Sequence, residues 1–403
     1  MPSLPEPPKK LSPQIFLSAG EASGEHYGAQ IIAEMRVRIP GMTCFGLGGT
    51  EMEAAGLERI VRAEDVAVMG ITEVVRHMPH IYAEYRRLVA SIKARRPDIA
   101  VLIDFPDVNF RLAKVLKRLG IPVVYFVSPQ LWAWKRSRLR WVQQRISRML
   151  VIFPFEERFY RARGVEAEFV GHPLATLPLP MQTREEFAAQ YGLDPAKQWI
   201  ALLPGSRRKE VHLNLPEMVQ AAAQLREEQS YEVLLPVAST VGMEFVRTAL
   251  QEFGAVDSIT LVDDARAAMH HARASIVASG TATVQAAVIG NPFVVVYRVS
   301  PLTFRLAKRL VRYPVEIPAP LDEVGNLPIA MVNLIAGRRI VPELLQERFT
   351  AVNLVAALRP LLEDGPARET MIAELAEVRG SLMLSAGSSP ICRVCDTVQS
   401  LLG

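Results

Sequence analysis

Short, uninterrupted apolar blocks alternate along this chain with stretches whose apolar positions are spaced by three and four. Blocks at 99–104, 121–127 and 149–152 read as strands buried on both faces, as does Ile15–Ala19, which ends in Gly20. The spaced pattern predicts helices at about 24–38, 72–95, 109–119, 137–147 and 155–163. Strand, helix, strand is the rhythm of a parallel sheet wound on both faces. The proline-rich segment Gly171–Met181 breaks it and reads as a linker. A second series follows, with strands at 199–203, 232–236, 259–262, 274–278 and 293–297 and helices at 209–228, 242–253, 264–271, 281–289 and 300–311. The last segments, 350–384 and 388–402, read as helical. The pattern predicts an α/β protein of two facing Rossmann-like, doubly wound domains with a cleft between them. Ligands of such sheets lie beyond the carboxyl ends of the strands. The expected domains are 14–172 and 173–384, after an extended tail at 1–13 and before a C-terminal helix in 385–403 that packs back on the first domain.

Composition narrows the function classes. Of 403 residues, half are hydrophobic and 22% charged, a globular balance. Forty-six basic against 42 acidic side chains leave +4, too mild to indicate a nucleic-acid binder. Three cysteines exclude a disulfide scaffold and favour a reducing compartment. Cys392 and Cys395 form a single CxxC with no second pair, so zinc is not expected. No apolar run is long enough to span a bilayer, and the N-terminus MPSLPEPPKKLSP lacks the features of a secretory signal. These features predict a cytoplasmic protein, soluble or peripheral.

Five stretches carry candidate chemistry, each at a predicted strand end. In Ser18–Gly28 the glycines at 20, 24 and 28 are spaced by four, which is not the dinucleotide fingerprint. This is either a turn capped by Ser23 or an anion-holding loop in which Glu21 suits hydroxyl recognition or acid–base work. In Leu102–Asn109, Asp104 ends a strand, and burial there would raise its pKa toward that of a general base. Asp107 is a helix cap or a second site carboxylate, and Asn109 lies beside it. Val127–Lys135 holds two tryptophans and Gln130, either a packed anchor or an aromatic wall for a sugar or acyl chain. Basic residues from Lys135 to Arg148 follow it without an acid. In Leu202–Glu210, Gly205 and Ser206 allow close backbone approach and Arg207 can fork onto a phosphate. In Ala278–Thr283 the small residues Ser279, Gly280, Thr281 and Thr283 open a helix N-terminus to an anion. A diphosphate held by the last two loops would explain both. His172 at the linker reads as a hinge residue, and the mixed apolar and basic stretch 68–96, including Met69, Ile71, Val74, Val75 and Met78, as core packing or a membrane-resting face.

Taken in order, AGEASGE, VMGITEVV, DFPDVN, SPQLWAW, VGHPLA, LLPGSRRKEV, SGTATV, YRVSPLTFRLAKRLV and VNLIAGRRIVPELLQ resemble the lipid-A-disaccharide synthase family over about 15–398. That resemblance implies the GT-B glycosyltransferase architecture, with the nucleotide on the C-terminal domain. It implies transfer from UDP-2,3-diacylglucosamine to 2,3-diacylglucosamine 1-phosphate with inversion, giving a β-1,6-linked disaccharide 1-phosphate and UDP. By the family motifs, Asp104 is the expected general base and Glu21 its partner or an acceptor-positioning group. Arg207, with Gly205 and Ser206, is expected to stabilise the departing UDP. Ser279, Gly280, Thr281 and Thr283 are expected to cradle the diphosphate, Tyr297 and Arg298 to lie near the nucleotide, and Asn333 to lie in the cleft. No metal or other cofactor is expected, because Arg207 and a helix N-terminus can neutralise the diphosphate. A peripheral protein on the cytoplasmic face of the bacterial inner membrane fits these lipids, and a pI near 9.0 fits an anionic leaflet. A homodimer is compatible with this reading, and no nucleic-acid partner is expected. The chain departs from the family at Gln285, where a ribose-binding Glu is usual, at Glu25-His26, at Phe105 and in the length of 313–330. The alternatives are an epimerase or peptidoglycan-type transferase on a UDP-sugar, or a non-catalytic nucleotide-sugar or lipid binder.

Overall fold

Each buried apolar block becomes a parallel strand. The computed structural model describes residues 12–66, 71–384 and 388–402. Most of the expected tail, Met69, and the side chains of Ile71, Val74, Val75 and Met78 lie outside the described residues. The chain divides into two compact units, one comprising the described residues up to Pro173 together with those from Leu384 on, the other Leu174–Met383.

In the first unit, β1 (Gln14–Ala19), β2 (Thr43–Gly48), β3 (Glu58–Arg62), β4 (Ile99–Ile103), β5 (Val123–Phe126), β6 (Arg148–Val151) and β7 (Ala167–Phe169) form one sheet. Its order is β3-β2-β1-β4-β5-β6-β7, and every pairing is parallel. In the second unit, β8 (Trp199–Leu203), β9 (Glu232–Pro236), β10 (Thr260–Val262), β11 (Ala274–Ala278), β12 (Phe293–Tyr297) and β13 (Glu343–Leu345) run in the order β10-β9-β8-β11-β12-β13, again all parallel. The register pairs Ile15 with Ile99 and Leu202 with Ile276, so the most apolar strands lie side by side at the two centres. Ile99–Ile103 and Ala274–Val277 have essentially no exposed surface. Each such Leu, Ile or Val contributes about 1.5–3 kcal/mol by burial.

The differences from the sequence pattern have local causes. β4 stops at Ile103 and β5 at Phe126, because Asp104 and Val127 take left-handed backbone conformations (φ 45° and 62°) and leave the sheet. β2 carries glycines and β3 is a charged edge strand, so neither reads as a buried block. The helix expected at 350–384 is two, Ala351–Leu362 and Pro366–Ser381, since Pro366 cannot continue the ladder of the first but suits the start of the second. The terminal helix Pro390–Leu402 packs on helix Ala22–Arg38, with Arg38 donating to Asp396 at 2.6 Å. Among the described residues, no helix is long and apolar enough to cross a membrane.

Candidate active site

Both sheets reverse their strand order at one place, between β1 and β4 and between β8 and β11. Connections leave such a point on opposite faces, so the loops beyond the two strand ends diverge and open a crevice within each unit. Glu21 follows β1 and Asp104 follows β4. Gly205–Arg207 follow β8 and Ser279–Thr283 follow β11. The candidate residues of each unit therefore collect at its own reversal point.

At the first reversal, Asp104 and Phe105 are consecutive non-glycine residues at φ 45° and 47°. Such a conformation persists only where its surroundings over-determine it, and here they do. The Asp104 N–H donates to the Phe126 carbonyl at 2.9 Å. The Asp104 carbonyl accepts from Tyr125 Oη at 2.5 Å and from Asn109 Nδ2 at 2.7 Å. Asn109, wholly buried, also donates to the Ile103 carbonyl at 3.1 Å and accepts from Ser18 Oγ at 2.7 Å. One amide thus ties the end of β1 to the turn after β4. Burial pushes the Asp104 carboxyl up to about 7, the negative charge of Glu21 adds to the rise, and a hydrogen bond from the Phe105 backbone offsets part of it. Burial and then the charge of Asp104 push the Tyr27 phenol up to about 12, which places that ring beside the same carboxyl. The Phe105 ring lies against Gly20, where a Cβ would come within 2.4 Å of it, so this chain's larger residue at 105 depends on that glycine.

Several local expectations are corrected here. Helix Ala22–Arg38 starts with Glu21, in extended conformation, at its N-cap, and Ser23 lies inside the first turn rather than capping it. Helix Pro106–Arg118 starts earlier than the pattern suggested, so Asp107 and Asn109 are helical residues and not loop residues. Asp107 is not its cap and pairs with Arg138 at 2.7 Å. Glu25 and His26 serve a neighbouring helix. Glu25 Oε1 accepts from the Glu51 N–H at 2.8 Å, and His26 Nδ1 lies 2.9 Å from Glu51 Oε2. The paired tryptophans divide. Trp132 is core, while Trp134 is half exposed beneath the Lys135 ammonium, 4.2 Å from its ring centre. His172 is buried against Phe153, and burial lowers its imidazole to about 4.

Glu156 carries a role that the pattern did not disclose. Its buried carboxylate accepts from Ser128 Oγ at 2.7 Å, Trp132 Nε1 at 3.0 Å and the Phe153 N–H at 3.3 Å, and so anchors the 128–134 loop. Burial pushes it up to about 7 against these donors. Its signal was a glutamate three residues into the helix that begins after Phe153, able to reach back to the preceding backbone.

At the second reversal the groups are more open. Gly205 sits at φ 134°, and a Cβ there would meet Glu210. The Glu210 carboxylate accepts from the Ser206 N–H at 3.0 Å and from Arg207 at 2.9 Å, so it occupies the position an anion would take against this turn. The Arg207 side chain is 68% exposed, which leaves it free to exchange that partner for a ligand. Gly280 (φ 154°) and Thr281 are exposed at the start of helix Thr281–Ile289, and Ser279 is half buried. Thr283 is buried and donates to the Gly280 carbonyl at 2.7 Å, so its hydroxyl shapes the turn instead of facing a ligand. Gln285 is half buried one turn further on. Tyr297, at the end of β12, is raised by burial and by the charge of Glu210, which brings it to the same edge.

Two expected ligand residues are structural. Arg298 donates to Glu217 at 3.3 Å and to the Phe349 carbonyl, and its guanidinium stacks 4.6 Å from the Phe349 ring. Asn333 is fully buried and uses its whole amide. It donates to the Val341 carbonyl and to Glu343, both at 3.0 Å, and accepts from the Ile340 and Val341 N–H groups at 2.8 and 3.0 Å. No capacity is left for a ligand. Among the described residues no group of three His, Cys, Asp or Glu side chains is placed to hold a metal ion.

A family profile described as lipid-A-disaccharide synthetase matches residues 15–387. The chain belongs to the lipid-A-disaccharide synthase family. Its similarity to individual members is high. It is 57% identical to a lipid-A-disaccharide synthase of Acidobacterium capsulatum over 403 residues, covering 97% of each chain. It is 52% identical to that of Koribacter versatilis over 370 residues, 92% of this chain and 93% of the other. Solved structures agree on fold alone. A Neisseria meningitidis UDP-GlcNAc 2-epimerase bound to UDP-GlcNAc aligns with TM-score 0.62 at 10% identity, over 96% of this chain and all of the other. The calicheamicin glycosyltransferase CalG4 aligns with TM-score 0.58 at 16% identity, over 97% and 98%.

Proposed function

We propose that the chain transfers the sugar of UDP-2,3-diacylglucosamine to the 6-hydroxyl of 2,3-diacylglucosamine 1-phosphate. The acceptor oxygen attacks the anomeric carbon from the face opposite UDP. The new C–O bond forms as the bond to UDP breaks, and the hydroxyl proton passes to Asp104. The products are the β-1,6-linked disaccharide 1-phosphate and UDP. The observation that carries this reading is Asp104, whose main-chain N–H and C=O are fixed by three hydrogen bonds in a left-handed turn and whose carboxyl is raised to about 7. That value makes it basic enough to take a hydroxyl proton while about half of the population is still ionised in neutral solution.

Glu21 keeps the carboxyl's affinity for a proton high and is suited to orienting the acceptor. The exposed Arg207, the Gly205–Ser206 turn and the N-terminus of helix Thr281–Ile289 supply positive potential for the diphosphate as it departs. Tyr297 and Gln285 lie at the same edge and are the candidates for contact with the nucleotide. The epimerase reading has only fold likeness at 10% identity behind it, whereas relatives named as synthases exceed 50%. Because both substrates carry acyl chains, we place the protein peripherally on the cytoplasmic face of the inner membrane.

The test mixes the purified protein, in detergent, with both substrates and no added divalent metal. Mass spectrometry then looks for the disaccharide phosphate. Product that is lost in Arg207→Ala supports the transferase and the diphosphate site together. Absence of product across several acyl lengths, with UDP still bound, rejects the reading.

A further inference from the structure

Helix Pro301–Leu310 has no buried residue. Phe304 and Ala307, with Val311 just beyond, are half buried and form its inner side. Leu302, Leu306 and Leu310 recur every fourth position, which places them within an arc of about 80° on the outer side. They are 75%, 56% and 62% exposed. Leucine is ordinarily the residue a helix turns inward, so an outward row of three has no role in holding the fold.

The charges beside this row are of one sign. From 298 to 315 the chain has no acidic residue, and the helix itself carries Arg305, Lys308 and Arg309. Arg305 and Arg309 form no ion pair among the described residues, although most of the described arginines have one or bond to backbone. Arg309 lies next to the leucine row on the helical wheel, with Arg305 and Lys308 further round on the same side. The apolar exposure continues past the helix, at Val315 and Leu321. A leucine face bordered by unpaired cations is the pattern of a helix lying in the surface plane of an anionic bilayer, its apolar side among the acyl chains and its cations at the headgroups.

We propose that helix Pro301–Leu310 is a membrane-docking element that binds the surface of an anionic phospholipid bilayer. The inference deepens the peripheral placement above and rests on it for biological sense. The binding itself can be measured without the sugar transfer.

The experiment is co-sedimentation of the full-length protein with vesicles of phosphatidylglycerol and phosphatidylethanolamine, against vesicles of phosphatidylcholine alone. The wild type is expected to favour the anionic vesicles and to lose binding as salt rises. The triple variant L302S/L306S/L310S is expected to bind at least tenfold more weakly. R305Q/R309Q is expected to lose about fivefold for each charge, roughly twenty-fivefold in all, and much of its salt dependence. All substituted side chains are exposed, so both variants should keep the wild-type melting temperature and their turnover on detergent-dispersed substrates. Wild-type binding by either variant overturns the proposal, as does failure of the wild type to bind anionic vesicles. A triple variant that binds vesicles normally but changes from dimer to monomer in light scattering overturns it in favour of self-association. If the vesicle results come out as expected while detergent assays yield no disaccharide, the docking helix stands and the transferase reading falls.

Discussion

The two reversal points share a topology and differ in how they hold their polar groups. At β1/β4 the decisive carboxyl is half buried, its backbone is in an unfavourable region, and a wholly buried amide, a tyrosine hydroxyl and a neighbouring strand lock it there. At β8/β11 the corresponding groups are an exposed arginine head, glycines at positive φ and an exposed helix start. A base must be desolvated and aimed, and that demands a rigid frame. A diphosphate brings its own strong charge, and backbone N–H groups with a flexible guanidinium are enough to hold it. On the function proposed above, one fold element, used twice, is fitted once for proton transfer and once for anion binding.

The sharpest break of that contrast is Asp104→Asn. It should lower kcat by about 10³-fold with little change in either KM, since it removes the proton acceptor but keeps the shape. The same substitution should stabilise the protein. The folded carboxyl titrates near 7 and an unfolded one near 3.8. Between those values the folded state holds the extra proton, so stability falls as pH rises through that window and is lowest above it. The amide carries no such cost, and at pH 8 Asp104→Asn should gain on the order of 2 kcal/mol in chemical denaturation. In the wild type, kcat/KM should rise with pH and level off above about 7. A fully active Asp104→Asn enzyme, or one less stable than wild type at pH 8, would refute the role given to this carboxyl.

Arg207→Ala tests the other side. Loss of a cation that acts on charge developing in the leaving group should cost about 10²-fold in kcat. Because the side chain is exposed, its removal should leave the melting temperature within about 1 °C. A large loss of stability with unchanged turnover would mean that Arg207 holds the fold at β8/β11 and does not act on the leaving group. Between these extremes lies Asn109→Ala. It removes no reacting group, yet it frees the turn that carries Asp104, so kcat should fall by about ten- to thirtyfold. The acid limb of the pH profile should move below 7 as water reaches the carboxyl. The unpaired buried groups left behind should cost about 2–3 kcal/mol of stability. If only stability changes and the limb stays near 7, Asn109 is a core residue and not a positioning one.

How much of this was readable in the sequence follows from the kind of force involved. The central strands were legible because burial on both faces leaves uninterrupted apolar blocks, and the turns after them because glycine and small residues recur at strand ends. The edge strands β3, β7 and β13 were not, since an edge imposes no such pattern on three to five residues. Asp104 and Arg207 could be picked out by residue type and position. What could not be read was which polar side chains spend their hydrogen bonds on the protein itself. Asn333, Arg298 and Thr283 stand in motif positions as plausible as Ser279 or Thr281, yet Asn333 and Arg298 bond backbone carbonyls of other loops, which only the fold brings within reach, and Thr283 bonds the Gly280 carbonyl of its own turn. Glu156 and Glu210 were missed for the converse reason. Each looks like an ordinary helix glutamate until the loop it clasps is in place.

Gln285 gives the smallest effect and the finest probe of the anion-binding side. It lies one helical turn beyond the exposed N-terminus of helix Thr281–Ile289, where the family resemblance led to the expectation of a glutamate. A neutral amide can hydrogen-bond a sugar hydroxyl, but a carboxylate accepts about twice as strongly. Gln285→Glu should therefore lower KM for the UDP-sugar by about three- to tenfold and leave kcat unchanged, with UDP affinity following in calorimetry. The new charge also sits near the diphosphate loops, where it opposes the phosphates, and the two effects separate by ligand. If uridine binds more tightly while UDP binds less tightly, the side chain faces the ribose and its charge is felt at the phosphates. If both weaken, residue 285 points at the diphosphate, and the glutamine is this chain's means of keeping a negative charge away from it.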